Sequence, residues 1–202
     1  NNFIGGNAGL NNVGGADNIF IGVCAGRANQ SGNHRIYLGA CAGLFFTATS
    51  NIAIGEKALQ GSSGNSSGGC NVALGRYAGE SVTTGIANFF VGHCAGKDSA
   101  AGSYNNFFGI TAGCANDTGA HNNFLGAEAG RNNDNGCYNV YIGRYAGKDS
   151  TSGDNNFFLG LYAGTNNTSG DKNTFIGEKA GCNNETGDCN IIIGPNANLP
   201  GN

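Results

Sequence analysis

Methionine and tryptophan are absent from the 202 residues, proline appears twice, and only 11% of positions are charged. Soluble domains usually carry roughly 25% charged residues. The net charge is −3 with no long run of either sign. Without a basic stripe to neutralise phosphates, no nucleic-acid partner is expected. No apolar run approaches the length of a bilayer crossing, so no membrane span is expected. An initiator methionine and a signal peptide are also missing, which reads as a processed or partial product. The Gly-Gly-x-Gly-x-Asp calcium repeat does not occur. Gly-x-Gly runs lack the strand–helix setting of a phosphate loop. No metal, cofactor or catalytic residue is therefore expected, and the chain does not read as an enzyme.

What is present is glycine at 38 positions and hydrophobic residues at 39%. So much glycine without a triplet period would ordinarily mean disorder. Here the apolar residues recur at fixed positions instead. Aligned on Asn-x-aromatic-aliphatic-Gly-x-x-Ala-Gly, repeats begin at Asn1, Asn18, Arg35, Asn51, Asn71, Asn88, Asn105, Asn122, Asn139, Asn156, Asn173 and Asn190. Nine of the eleven intervals are 17 residues, the others 16 and 20, and the copies fill the chain. The expectation is an all-β β-solenoid of about twelve rungs, a single domain over 1–202 with a short tail at 195–202.

Position 5 is always Gly and position 8 always Ala; position 4 is always bulky and apolar. Each copy reads as a strand, a corner, a short second strand and a polar turn. Ala at position 8 would leave room for the position-4 aliphatic across a thin core. Rungs spaced about 4.8 Å apart would make a rod of roughly 55–60 Å. Position 3 carries Phe3, Phe20, Tyr37, Phe90, Phe107, Phe124, Tyr141, Phe158 and Phe175. Adjacent strand residues point to opposite faces, so positions 3 and 4 cannot both line the core. One row must then face outward, as a patch larger than soluble monomers tolerate, unless a corner folds both rows inside. The aromatic row is the expected contact, with other copies of the chain or with glycans.

The segment Asn51–Leu59, NIAIGEKAL, followed by Asn71–Gly79, NVALGRYAG, resembles the Asn-Thr-Ala-Ile-Gly repeats of bacterial surface proteins and phage-type fibres. It is similar, more distantly, to the β-roll heads of trimeric autotransporter adhesins. The resemblance covers the whole chain and implies extracellular adhesion or scaffolding, often as a trimer. The chain departs from those repeats in its Phe and Tyr at position 3 and in its eight cysteines.

Sequons for N-linked glycans occur at Asn29, Asn65, Asn116, Asn166, Asn167 and Asn184. Four of them (Asn29, Asn116, Asn167 and Asn184) share position 12, where an exposed turn is expected. Asparagine also favours turns for its own backbone bonding, which is the plainer explanation. Ser99 and Ser150 share that position and could carry O-linked sugars. Eight cysteines without metal-binding spacing suggest disulfides in an oxidising compartment. Cys24 and Cys41 occupy position 7 of successive repeats, within bridging range if rungs stack. Cys182 with Cys189 and Cys114 with Cys137 are further candidate pairs, and Cys70 with Cys94 remains by elimination. Reduced thiols are the alternative.

His34 and His121 share position 17 and His93 lies at position 6, all expected to be solvent-facing filler. His93 and Cys94, read as strand neighbours, should face opposite ways. Asp154, Asp171 and Asp188 share position 16 of three successive repeats. Ordinary repeats at both ends, without polar caps, suggest end-to-end addition of subunits. These features together predict a structural subunit of an extracellular or cell-surface filament or fibre, partnered by itself and by covalent glycans. The alternative is a trimeric adhesin or fibre segment that binds a surface receptor or glycan.

Overall fold

The computed structural model describes residues 1–63 and 66–198. Within them the chain winds through twelve three-residue strands, one per repeat. They are β1 (Asn2–Ile4), β2 (Ile19–Ile21), β3 (Ile36–Leu38), β4 (Ile52–Ile54), β5 (Val72–Leu74) and β6 (Phe89–Val91). The series continues with β7 (Asn106–Phe108), β8 (Asn123–Leu125), β9 (Val140–Ile142), β10 (Phe157–Leu159), β11 (Thr174–Ile176) and β12 (Ile191–Ile193). All pair in parallel and in sequence order to make one twelve-stranded sheet. Equivalent positions sit directly above one another, for example Phe124 on Tyr141 and Phe158 on Phe175. The all-β solenoid expected from the repeat is the fold observed.

The short second strand is not found among the described residues. Beyond the sheet there is a single isolated bridge, Phe46 with Ser66. The reason lies in the backbone after position 5. In the eighth rung Gly126, Glu128 and Gly130 all have positive φ, at 142°, 59° and 56°. This alternation curls the chain while leaving its amides free to bond between rungs. Glu128 N–H donates to Ile110 O at 2.9 Å, and Gly130 N–H donates to Ala146 O at 3.0 Å. The ladder continues round the corner without extended dihedrals, so a buried backbone is satisfied without a second sheet.

Position 3 points inward. Phe20, Tyr37, Phe90, Phe107, Phe124, Tyr141, Phe158 and Phe175 are fully buried with the position-8 alanines. Successive rings stack at rung spacing; Phe107, Phe124, Tyr141, Phe158 and Phe175 follow at 4.8 Å between centroids. Each such pair adds about 0.5–1.5 kcal/mol beyond the area it buries. Space for the ring comes from position 9. A Cβ placed on Gly130 would lie 2.5 Å from Phe124 Cδ2. In rung 4 the core is filled the other way round. Ala53 replaces the ring, and Leu59 replaces the position-9 glycine and is fully buried, at φ 44°. Position-8 alanine therefore borders the aromatic column, and not the position-4 aliphatics as the sequence suggested.

A polar spine runs beside the rings. The position-1 asparagines from Asn18 to Asn173 are buried and bridge to neighbouring rungs. Asn122 Oδ1 accepts the Asn139 N–H at 2.9 Å, and Asn122 Nδ2 donates to Gly136 O at 2.7 Å. The same pair of bonds recurs at Asn105, Asn139, Asn156 and Asn173. Arg35 takes this place in rung 3, fully buried, with its guanidinium donating to Asn29 Oδ1 and to the carbonyls of Thr47 and Ala48.

Candidate interaction surface

With position 3 committed to the core, strand alternation turns positions 2 and 4 outward. Position 4 is apolar in all twelve rungs, and position 2 is apolar in eight of them. The two columns form one stripe along the outer face of the sheet. Leu125 is 52% exposed, Leu159 37% and Phe157 36%; Leu38, Leu74, Phe89, Val91 and Ile142 are half-buried by their neighbours in the stripe. The columns lie about 7 Å apart and run the length of the rod at about 4.8 Å per rung. Their flat projection is on the order of 400 Å², within the range of the largest apolar patch of a typical monomer.

Position 2 is polar in four rungs: singly at Asn2 and Thr174, and in two successive rungs in the middle of the stripe. At position 2 of rungs 7 and 8 stand Asn106 and Asn123, which bond to each other at 2.8 Å. Their short side chains leave an apolar hollow of about 320 Å³ walled by Phe108, Leu125, Val140 and Ile142, with Phe124 as its floor. Next to it, Phe89 occupies position 2 of rung 6 and meets Phe108 edge-on at 5.1 Å.

The aromatic row expected to make outside contacts is therefore in the wrong place for them. Phe20, Tyr37, Phe90, Phe107, Phe124, Tyr141, Phe158 and Phe175 are sealed in the core, and Phe3, at 37%, is the sole member exposed. The outward row is the aliphatic one. Glycine at position 9 was the available signal, because only that vacancy admits a ring.

The position-12 sequons are corrected as well. Asn29, Asn116 and Asn167 are fully buried and Asn184 nearly so. They point into the solenoid as a second amide ladder. Asn29 Nδ2 reaches Asn12 Oδ1 at 2.7 Å, and Asn133 Nδ2 reaches Asn116 Oδ1 at 2.6 Å. A glycan has no room there, nor an O-linked sugar on the buried Ser99 or Ser150. Asn166 is exposed in the turn, while Asn65 lies outside the described residues. Apolar occupants of the same position, Phe46 and Val82, were the overlooked sign of an inward site.

All eight cysteines are free thiols: Cys24, Cys41, Cys94, Cys114, Cys137 and Cys182 are half-buried, and Cys70 and Cys189 are exposed. Cys24 and Cys41 do stand at the same left-handed corner of successive rungs, at φ 59° and 58°. Cys137 serves the backbone, its Sγ accepting the Ala120 N–H at 3.4 Å. The aspartate column does likewise: Asp154, Asp171 and Asp188 each accept the amide of the preceding rung at 2.7–2.8 Å. Among the described residues no group of three or more His, Cys, Asp or Glu gathers as a metal site. No helix of the described residues is long and apolar enough to cross a membrane.

His93 and Cys94 do not face apart, since they lie in the corner and not in the strand. Cys94 Sγ is 3.8 Å from His93 Nε2. Burial pushes the Cys94 thiol up, the opposite of what a thiolate nucleophile needs. Both line an open hollow of about 410 Å³ with Lys57, Arg76, Tyr77, Glu80 and Lys97. Its charges largely answer one another: Glu80 lies 3.6 Å from Lys57 and 4.0 Å from Lys97, and Arg76 covers the Tyr77 ring at 4.6 Å. Sequence reading also missed the stack of Tyr104, His121 and Tyr138 at position 17, with 4.9 Å between successive rings. No protein family, curated protein or solved structure matches the chain.

Proposed function

We propose that the protein is a structural rod of an extracellular or cell-surface filament or fibre, packing sideways against copies of itself. The observation that carries this reading is the bare outer face of a parallel sheet. Parallel sheets are ordinarily covered on both sides, and their strands are then apolar on both sides. Here the strands largely have that composition, with position 3 buried inside, position 4 apolar outside and position 2 mostly so, yet no described residue covers the outer side. Water contact with such a stripe costs about 25 cal/mol per Å², a strong drive toward association. The repeat's resemblance to bacterial surface and fibre proteins agrees with this role. A covalent glycan would have its place at Asn166, exposed in the turn of rung 10.

Sedimentation of the purified chain over a range of concentrations, beside Leu125→Lys and Ile142→Lys, tests the proposal. The parent should associate and electron micrographs should show rods side by side, while both lysine variants stay single. A parent chain that remains a single rod at every concentration would overturn it.

A second reading, a fibre segment that binds an acidic glycan, has the hollow around Lys57, Arg76, Tyr77 and Lys97 in its favour. Binding of sulfated or uronic oligosaccharides, lost in Arg76→Ala, is the result that would favour it.

A further inference from the structure

The stripe is not uniform, and its irregularities match. We infer that the stripe pairs two copies antiparallel about a two-fold axis at rung 7, with Phe89 of each copy seated in the Asn123 hollow of the other. The inference rests on the lateral packing proposed above and adds its direction and register.

Two geometries bring two such faces together symmetrically. If the rods run parallel, every rung faces itself and position 2 of one copy meets position 4 of the other. The hollow at rungs 7 and 8 would then face Phe108 and Leu125, its own walls, and Phe89 would press on Val91. If the rods run antiparallel, position 2 meets position 2 and position 4 meets position 4. A bump and a hollow in one column then complement each other wherever the axis lies midway between them. Phe89 is at rung 6 and the hollow is centred on rung 8, bounded by residues of rungs 7 to 9. The axis therefore passes through rung 7.

That register has consequences elsewhere in the stripe. Asn106 meets its own copy on the axis, where two primary amides can bond to each other and neither is left dry and unpaired. Phe108 likewise meets Phe108. Val72 faces Val140 and Ile52 faces Phe157, so the remaining large position-2 side chain, Phe157, again finds a smaller partner. In position 4 every pair is apolar, since every member of that column is. The overlap spans about eleven rungs at about 4.8 Å, giving on the order of 400 Å² of flat contact per copy before side-chain flanks are added. A standard stable interface needs about 800 Å² per partner.

The test is a sign. Asn123→Phe fills the hollow and enlarges the apolar stripe. A merely adhesive stripe would associate more strongly. The inferred register requires weaker association, about tenfold or more in dimer dissociation constant, because Phe89 loses its seat. The double variant Phe89→Ala with Asn123→Phe exchanges bump and hollow and should recover most of the parent's affinity. A benzoylphenylalanine at position 89, photolysed in mixed light and heavy-isotope chains, should link between chains to the segment 123–125. Tighter binding by Asn123→Phe, or interchain links to 89–91, would overturn the antiparallel register while leaving lateral packing intact. A parent chain that never dimerises would overturn both. Both positions face outward, so the variants should keep the parent's circular dichroism.

Discussion

The Tyr141 hydroxyl lies 2.9 Å from the Ser150 hydroxyl inside the solenoid, joining position 3 of a rung to position 12 of the same rung. Both groups are fully buried. The aromatic column and the second amide ladder thus share one interior, and a phenol there must stay protonated. Burial pushes the phenols of Tyr37 and Tyr141 far up from the ordinary value of 10.0.

The sign of the pH effect follows from that shift. Folded, these phenols keep their protons above pH 10; unfolded, they release them. The unfolded chain then binds fewer protons, so stability present below pH 10 is lost as pH rises, by about 1.4 kcal/mol per unit per tyrosine. Tyr141→Phe should remove about half of the loss due to this pair. Denaturant unfolding at pH 8 and at pH 11 checks it, and equal slopes in parent and variant would contradict it.

Asn122→Leu should destabilise by about 2–5 kcal/mol. It strands two buried backbone groups, Asn139 N–H and Gly136 O, each costing about 1–3 kcal/mol without a partner. Asn123→Leu, one residue on but facing outward, should change unfolding free energy by less than about 0.5 kcal/mol. A comparable loss at both sites would contradict the buried ladder.

Gly130→Ala combines a positive φ with a clash against the Phe124 ring, together worth about 2–5 kcal/mol. Gly6 has open space around it. Gly6→Ala should be nearly silent in the same thermal melt, and equal losses would show that the ring does not depend on position 9.

Produced in a host that adds N-linked glycans, the chain should carry sugar at Asn166 and none at Asn29, Asn116, Asn167 or Asn184. Peptide mapping after enzymatic deglycosylation in heavy water reads each site. Occupancy at Asn116 would mean that rung 7 opens or is modified before it closes.

The sequence displayed the solenoid because its backbone demands are periodic: glycine at position 5 and alanine at position 8 recur without exception. It did not display which strand face is inside, since alternation says only that Phe124 and Leu125 point apart. That choice rests on a compensation visible once known, the exchange of Leu59 for glycine where Ala53 replaces a ring. The position-12 asparagines misled for a different reason. A turn asparagine and a buried ladder asparagine use the same amide bonds to the same kinds of backbone group. Phe46 and Val82, which no exposed turn would favour, distinguished the two.

The hydrogen bonds between rungs all run along the rod, whereas the covalent chain circles it. Tension applied along the axis is therefore borne by non-covalent joints in series, each with its ladder amides sharing the load. Such an assembly fails at its weakest joint, however strong the others are. That joint is expected between rungs 4 and 5, where Ala53 lies over Ala73 and the column of stacked rings is interrupted.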